Sequence, residues 1–284
     1  MGGDQPVLAE KAALASPEAA RAREESRLKF SGLNTEQAAA ADAESFPEVI
    51  DHPVGGPPPL PAGGQVLGYA STNAAELALP GGKSAVVESM QPMAVETSPG
   101  DRLPVDLSLS EVGGGYESVR PVVGVVVPRR SSGGVQLPEA GLSLTAVDVQ
   151  GSPLGGAEGV DEGGSVVYAN TQTDTDTIVK PTTAGFDADT VLRSVDSPGQ
   201  LYFRVGLPEG ASLVQAQGMG QVSVLEGGQR IAVVRAPSAV DAAGTLVPVS
   251  MSVEGDLLVL SVSVSPEDDE WPIMVDPEVI KETE

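Results

Sequence analysis

The sequence has no cysteine and a single histidine, His52. Without thiols there is neither a disulfide framework nor a thiolate metal site, and zinc loses the ligands it uses most. A nucleophilic triad built on imidazole would have to use His52, which stands beside Pro53 in a proline-rich stretch where nothing rigid would orient it. Basic residues are scarce as well, 16 against 40 acidic ones, giving a formal net charge of −24. Binding a phosphate backbone needs a clustered basic face, so the balance argues against a nucleic-acid partner. Aromatics make up 3% of the chain, too few to line a sugar cleft for a carboxylate-pair glycosidase. No apolar run reaches the roughly 18 residues of a membrane helix, and Met1-Gly2-Gly3-Asp4 lacks the basic start and apolar block of a secretory signal. The glycine-rich stretches, such as Gly113 to Gly115, lack the lysine and hydroxyl ending of a phosphate loop.

What is present favours strands. The 284 residues are enough for two ordinary domains, and a hydrophobic share of 40% is compatible with real cores. With 34 glycines and 24 prolines, turns are frequent and long helices few. Valine and leucine are left to build the interior.

From Leu201 to Pro277 the chain reads as strand, turn, strand, repeated. Gln221 to Leu225 and Arg230 to Val234 flank Glu226-Gly227-Gly228-Gln229 as one hairpin. Val249 to Val253, the turn Glu254-Gly255-Asp256 and Leu257 to Val264 write a second, with Leu258, Leu260, Val262 and Val264 on a buried face. Trp271 closes this stretch as a core anchor. Upstream, Ser16-Pro17-Glu18 starts a helix expected to reach Phe30, and Asn34 with Gln37 caps a second helix through Ser45. Mixed charges along both suggest a solvated arm or a small docking hairpin more than a core, mobile or loosely packed. The stretch 51–64, with Pro57-Pro58-Pro59, reads as an extended linker. Short strands are expected over 65–70, 76–79, 84–88, 103–112, 121–127 and 142–147, with a glycine-rich acidic loop from Gly151 to Gly164.

The remaining chemistry rests on carboxylates. Asp174 and Asp176 lie in Thr171-Gln172-Thr173-Asp174-Thr175-Asp176-Thr177, and Asp187 and Asp189 follow a turn later. Oxygen ligands converging from two segments could hold calcium, which accepts six to eight of them with loose geometry. The alternative is a polar exposed strand with threonines on its other face. A hydrolase using one of these pairs is a third reading.

Several pieces in order resemble one family. They are Thr171 to Asp176, Lys180-Pro181, Leu192-Arg193-Ser194 with Ser197-Pro198, Phe203-Arg204-Val205, Leu207 to Ala211, Asp241 to Gly244 with Val247-Pro248-Val249, and Trp271-Pro272-Ile273-Met274-Val275-Asp276-Pro277. Together with Phe46-Pro47, the segment 55–61 and Glu96 to Gly100, this set resembles the β-rich N-terminal region of actinobacterial RHS or YD-repeat proteins, from about Ser16 to Pro277. The resemblance implies a secreted or cell-surface setting, a non-enzymatic region ahead of a repeat shell, and protein partners or the remainder of a larger repeat protein. It carries over no catalytic residue. The sequence departs from the pattern in showing no export signal and no YD repeats, as a truncated fragment would.

The expectation is therefore a mainly β protein of one or two antiparallel sandwich-like domains behind a short helical arm. Its divisions are an arm over 1–50, a linker over 51–64, a first β domain over 65–189 and a second over 190–284. Calcium is the only cofactor left open, at Asp174, Asp176, Asp187 and Asp189, as part of a calcium-dependent ligand- or glycan-binding alternative.

Overall fold

A computed structural model describes residues 29–50, 60, 62–216, 218, 220–265 and 269–282, with Pro17, Arg21 and Glu25 as isolated helical positions. Most of the expected helix from Ser16, most of the linker with His52, and residues 266–268 lie outside the described residues. Helix α1 (Thr35–Ser45) begins at the cap read from the sequence: Asn34 Oδ1 accepts from the Gln37 amide at 2.9 Å, and Gln37 Oε1 accepts from the Asn34 amide at 3.1 Å. Helix α2 (Pro47–Ile50) follows directly.

The protein is mainly β, with antiparallel sheets forming a sandwich. Strands β1 (Gln65–Ser71), β2 (Ala74–Leu79) and β3 (Lys83–Glu88) make a small sheet, and β4 (Ala94–Ser98) with β5 (Asp101–Pro104) a ribbon. The chain then lays down β6 (Asp106–Val112), β7 (Gly115–Arg120), β8 (Val126–Pro128), β9 (Val135–Leu137) and β10 (Leu142–Val147) in the first large sheet. It crosses to a second with β11 (Gly159–Glu162), β12 (Ser165–Gln172), β13 (Thr175–Pro181) and β14 (Gly185–Leu192), and returns for β15 (Gln200–Gly206). Next, β16 (Ala211–Gln215), β17 (Val222–Glu226), β18 (Gln229–Val234) and β19 (Ser238–Asp241) rejoin the second sheet. Finally β20 (Val249–Glu254) and β21 (Leu257–Val262) extend the first sheet, and β22 (Ile273–Asp276) and β23 (Glu278–Lys281) complete the second.

One core lies between these two sheets. Val127, Leu144, Phe203, Leu258 and Leu260 face it from the first, and Val166, Val179, Phe186, Val224, Ile273 and Val279 from the second. The boundary read near Thr190 falls inside β14, and both large sheets take strands from either side of it. Sequence proximity suggested two successive units; long-range pairing interleaves them instead.

The two hairpins are β17–β18 and β20–β21, and Leu258, Leu260 and Val262 are buried as their period-two spacing requires. The apolar run 121–127 contributes only the short β8, and the strand read over 103–112 is split into β5 and β6 around Val105. Within the loop read over 151–164, residues 159–162 form β11.

The described part of the arm is docked, not loosely packed. Phe46 and Val49 are buried against Val167, Ile178 and Val191 on the outer face of the second sheet. Burial of each such side chain contributes about 1.5–3 kcal/mol, so these two contacts outweigh the mixed charges that suggested a solvated segment. Of those charges, Glu36, Glu44 and Glu48 are exposed, while Asp42 is buried.

Candidate functional site

The register of β13 on β14 fixes where the four candidate aspartates go. Asp176 stands opposite Val191, Ile178 opposite Asp189, and Lys180 opposite Asp187, all on the sheet face that carries the arm. Asp176 and Lys180 are four residues apart on one strand, roughly 13 Å at the usual rise. Asp187, beside Lys180, is therefore too far from Asp176 to share an ion held at about 2.3–2.6 Å. Asp174 is not in a strand at all. It occupies the β12–β13 turn with φ 44°, its carboxylate accepting from Ser194 Oγ at 2.8 Å and the Gly32 amide at 3.3 Å. The four residues thus divide into two groups, and among the described residues no set of three or more His, Cys, Asp or Glu is placed to hold a metal ion. Nor is the segment an exposed polar strand, since Thr171, Asp174, Thr175, Asp176 and Thr177 are all buried.

The first group is centred on Arg193, which is fully buried. Its Nε lies 2.8 Å from Asp176 Oδ2, a contact of charge without an aligned hydrogen bond. Nη1 donates to the Phe30 carbonyl at 2.5 Å and Nη2 to Asn170 Oδ1. Asn170, held at φ 56°, donates its own amide to Asp176 Oδ1 at 2.7 Å and its Nδ2 to the Leu33 carbonyl at 2.7 Å. Asp42 of α1 completes the group, wholly buried with neither oxygen hydrogen-bonded. Burial and the nearby Asp176 charge push the Asp42 carboxyl up to about 8, against the opposing pull of Arg193. Asp176 is raised too, by burial first, with Arg193 and the Asn170 amide restraining the shift.

The second group lies further along the same face. Lys180 Nζ is 2.9 Å from Asp187 Oδ2, and Arg235 Nη1 is 2.9 Å from Glu278 Oε2. Asp187 pairs with Glu278 across β14 and β23, and the β14–β22 register brings Asp276 beside Asp189. Asp189 is almost entirely buried; desolvation and the Asp276 carboxylate raise it far above an ordinary aspartate, with a hydrogen bond between the two acids favouring the protonated form. Asp187 and Glu278 are raised by burial as well. For Lys180, burial acts downward, but the charges of Asp189 and Asp187 prevail and hold it above its usual value.

Comparison with known protein families and with curated proteins finds no match. The site therefore stands on its geometry.

Carboxyls that keep their protons near neutrality are suited to acid–base work, provided a substrate can reach them. Asp42 and Asp189 are closed off by protein. A cleft of about 790 Å³ opens beside the second group, between the loop at Ser89 to Met93 and the strand pair β18–β23. Its bases are already engaged, Lys180 with Asp187, Arg230 with Glu282, Arg235 with Glu278 and Lys281 with Glu139. No helix among the described residues is long and apolar enough to cross a membrane.

Asp42, Asn170, Asp276 and Glu278 were missed as site residues, and Arg193 figured only as part of a motif. A signal for Asp42 exists: Ala38, Asp42, Phe46 and Val49 recur at helical spacing, a stripe in which one acid replaces an apolar residue. Arg193 likewise follows directly on the apolar Val191-Leu192. Partners such as Asp276 depend on pairing across more than eighty residues, which no local pattern carries.

Proposed function

We propose that the chain is a non-catalytic structural and interaction module of a secreted or cell-surface protein of the RHS/YD-repeat type. One observation carries this reading. Of the polar residues in the motifs that resemble that family, Asp174, Asp176, Arg193 and Ser194 are buried in the group that ties turn, arm and sheet together, and Lys180 and Asp276 join the acids packed along the same sheet face. Residues used in this way hold a scaffold rather than meet a substrate. The partner is the remainder of a larger repeat protein or another protein at the same surface, not nucleic acid, given the net charge of −24.

Translating the genomic DNA on both sides of the reading frame in every frame tests the proposal. Tyrosine-aspartate repeats downstream, in frame or after a shift, support it. Flanks holding only unrelated genes overturn it.

A further inference from the structure

Asp42 presents a buried carboxyl with two unpartnered oxygens from α1 towards the sandwich. The charged groups around it are few and identifiable. Asp176 comes from β13, Arg193 follows β14, and Asp174 sits in the β12–β13 turn, while Glu36 and Glu44 of α1 and Glu48 of α2 are exposed. One guanidinium therefore faces two carboxyls across the contact between arm and sheet, and its Nη1 and Nη2 each already serve another acceptor, on Phe30 and Asn170. A second negative charge brought in by the arm at Asp42 receives no hydrogen bond from Arg193 or from any other described residue.

We propose that docking of the helical arm is coupled to proton uptake at Asp42, so that acidification locks the arm onto the sheet and rising pH loosens it. The direction follows from linkage. The docked carboxyl titrates at about 8 against an ordinary 3.8 when released, so the docked state holds the extra proton throughout that window. Docking is tightest at and below the lower value, weakens by about tenfold per pH unit above it, and levels off past the upper one. Loosening uncovers Val167, Ile178 and Val191, the apolar patch that Phe46 and Val49 cover.

Hydrogen exchange on the full chain, followed by mass spectrometry from pH 5.5 to 9 and corrected for intrinsic rates, reads this directly. The opening constant for residues 35–50 is expected to rise by about tenfold per unit up to pH 8 and then flatten, while peptides from β21 change much less. In Asp42→Asn most of that slope disappears. An unchanged slope in Asp42→Asn, or a flat wild-type profile, overturns the proposal. Should the variant fail to fold, the Asp42 side-chain carbon resonance of the wild type decides: titration near 8 supports the coupling, and titration near 4 rejects it.

Discussion

Arg193 Nη1 donates a 2.5 Å hydrogen bond to the carbonyl oxygen of Phe30, across 163 residues of chain. This bond and the Asp176 contact place a full positive charge in a dry interface between arm and sandwich. Replacing Arg193 with methionine keeps the volume but strands Asp176. Loss of one partner of a buried pair costs about 3–5 kcal/mol. Urea unfolding should show that loss for Arg193→Met, and adding Asp176→Leu should recover part of it. A single substitution within 1 kcal/mol of wild type, roughly the scale of a surface pair, would show that the cluster carries no weight.

Asp42, Asp176, Asp187, Asp189 and Glu278 all have carboxyls raised in the folded protein. Above the ordinary carboxylate range the native state then binds more protons than the unfolded chain, so stability falls as pH rises. Glu139 and Asp241 are lowered, the first through its bond to Lys281 and the second by amides from Glu270, Thr245 and Ala243 that overcome its burial. Their contribution is present above the ordinary range and lost below it. The melting temperature is thus expected to be higher at pH 5 than at pH 8, the reverse of a protein held by surface ion pairs. A profile that rises towards pH 8 would contradict this.

The acid pair Asp189 and Asp276 predicts an unusual gain. Asparagine at position 189 fits the same space, needs no proton, and can donate its amide to Asp276. At pH 8 Asp189→Asn should be more stable than wild type by about 1–2 kcal/mol, with the difference shrinking at pH 5. Denaturant midpoints at the two pH values measure it, and a variant weaker at both would remove the argument.

Gly185 opens β14 where β23 comes closest. A Cβ there would stand 1.9 Å from the Val279 carbonyl oxygen, which is backbone and cannot turn aside. Gly185→Ala is expected to cost about 3 kcal/mol or more by prising the two strands apart. Gly155→Ala meets nothing within 4 Å and should change stability by no more than about 0.5 kcal/mol. Equal effects at the two positions would mean that the β14–β23 contact is not under strain.

Because Asp174 and Asp176 are separated from Asp187 along the sheet, calcium has no common cradle among them. The melting temperature should be the same in millimolar calcium and in chelator. A clear rise with calcium would restore the binding reading, since any ligand of the native state stabilises it by mass action.

Hairpins were legible because each carries its own turn: Gly227-Gly228 at positive φ joins β17 to β18, and Gly255 joins β20 to β21. The α1 cap was legible for the same local reason. The segment 171–177 was not, because Thr173 and Asp174 make a turn without glycine, with Asp174 in a left-handed conformation that its bonds to Ser194 and Gly32 hold. Strand order was illegible for a different reason. Val, Ser and Leu alternate in β6, β10, β17, β20 and β21 alike, so the pattern states that a face is buried without stating against which neighbour. Site residues inherited that ambiguity: Asp187 and Asp189 could be picked out as acids, but their partners Asp276 and Glu278 lie on strands whose position depends on the whole sheet.

In the second sheet β23 lies between β14 and β18. Glu278 to Lys281 therefore join two halves whose other strands precede them in the chain. While the chain emerges from a ribosome or a translocation pore, β14 and β18 each wait with an open edge along this seam, and pairing across such a sequence distance is slow. Until Glu278 to Lys281 arrive, the acids of β14 also lack the strand that encloses them. For this protein, the arrival of β23 decides when this seam of the sheet stops being available to other chains.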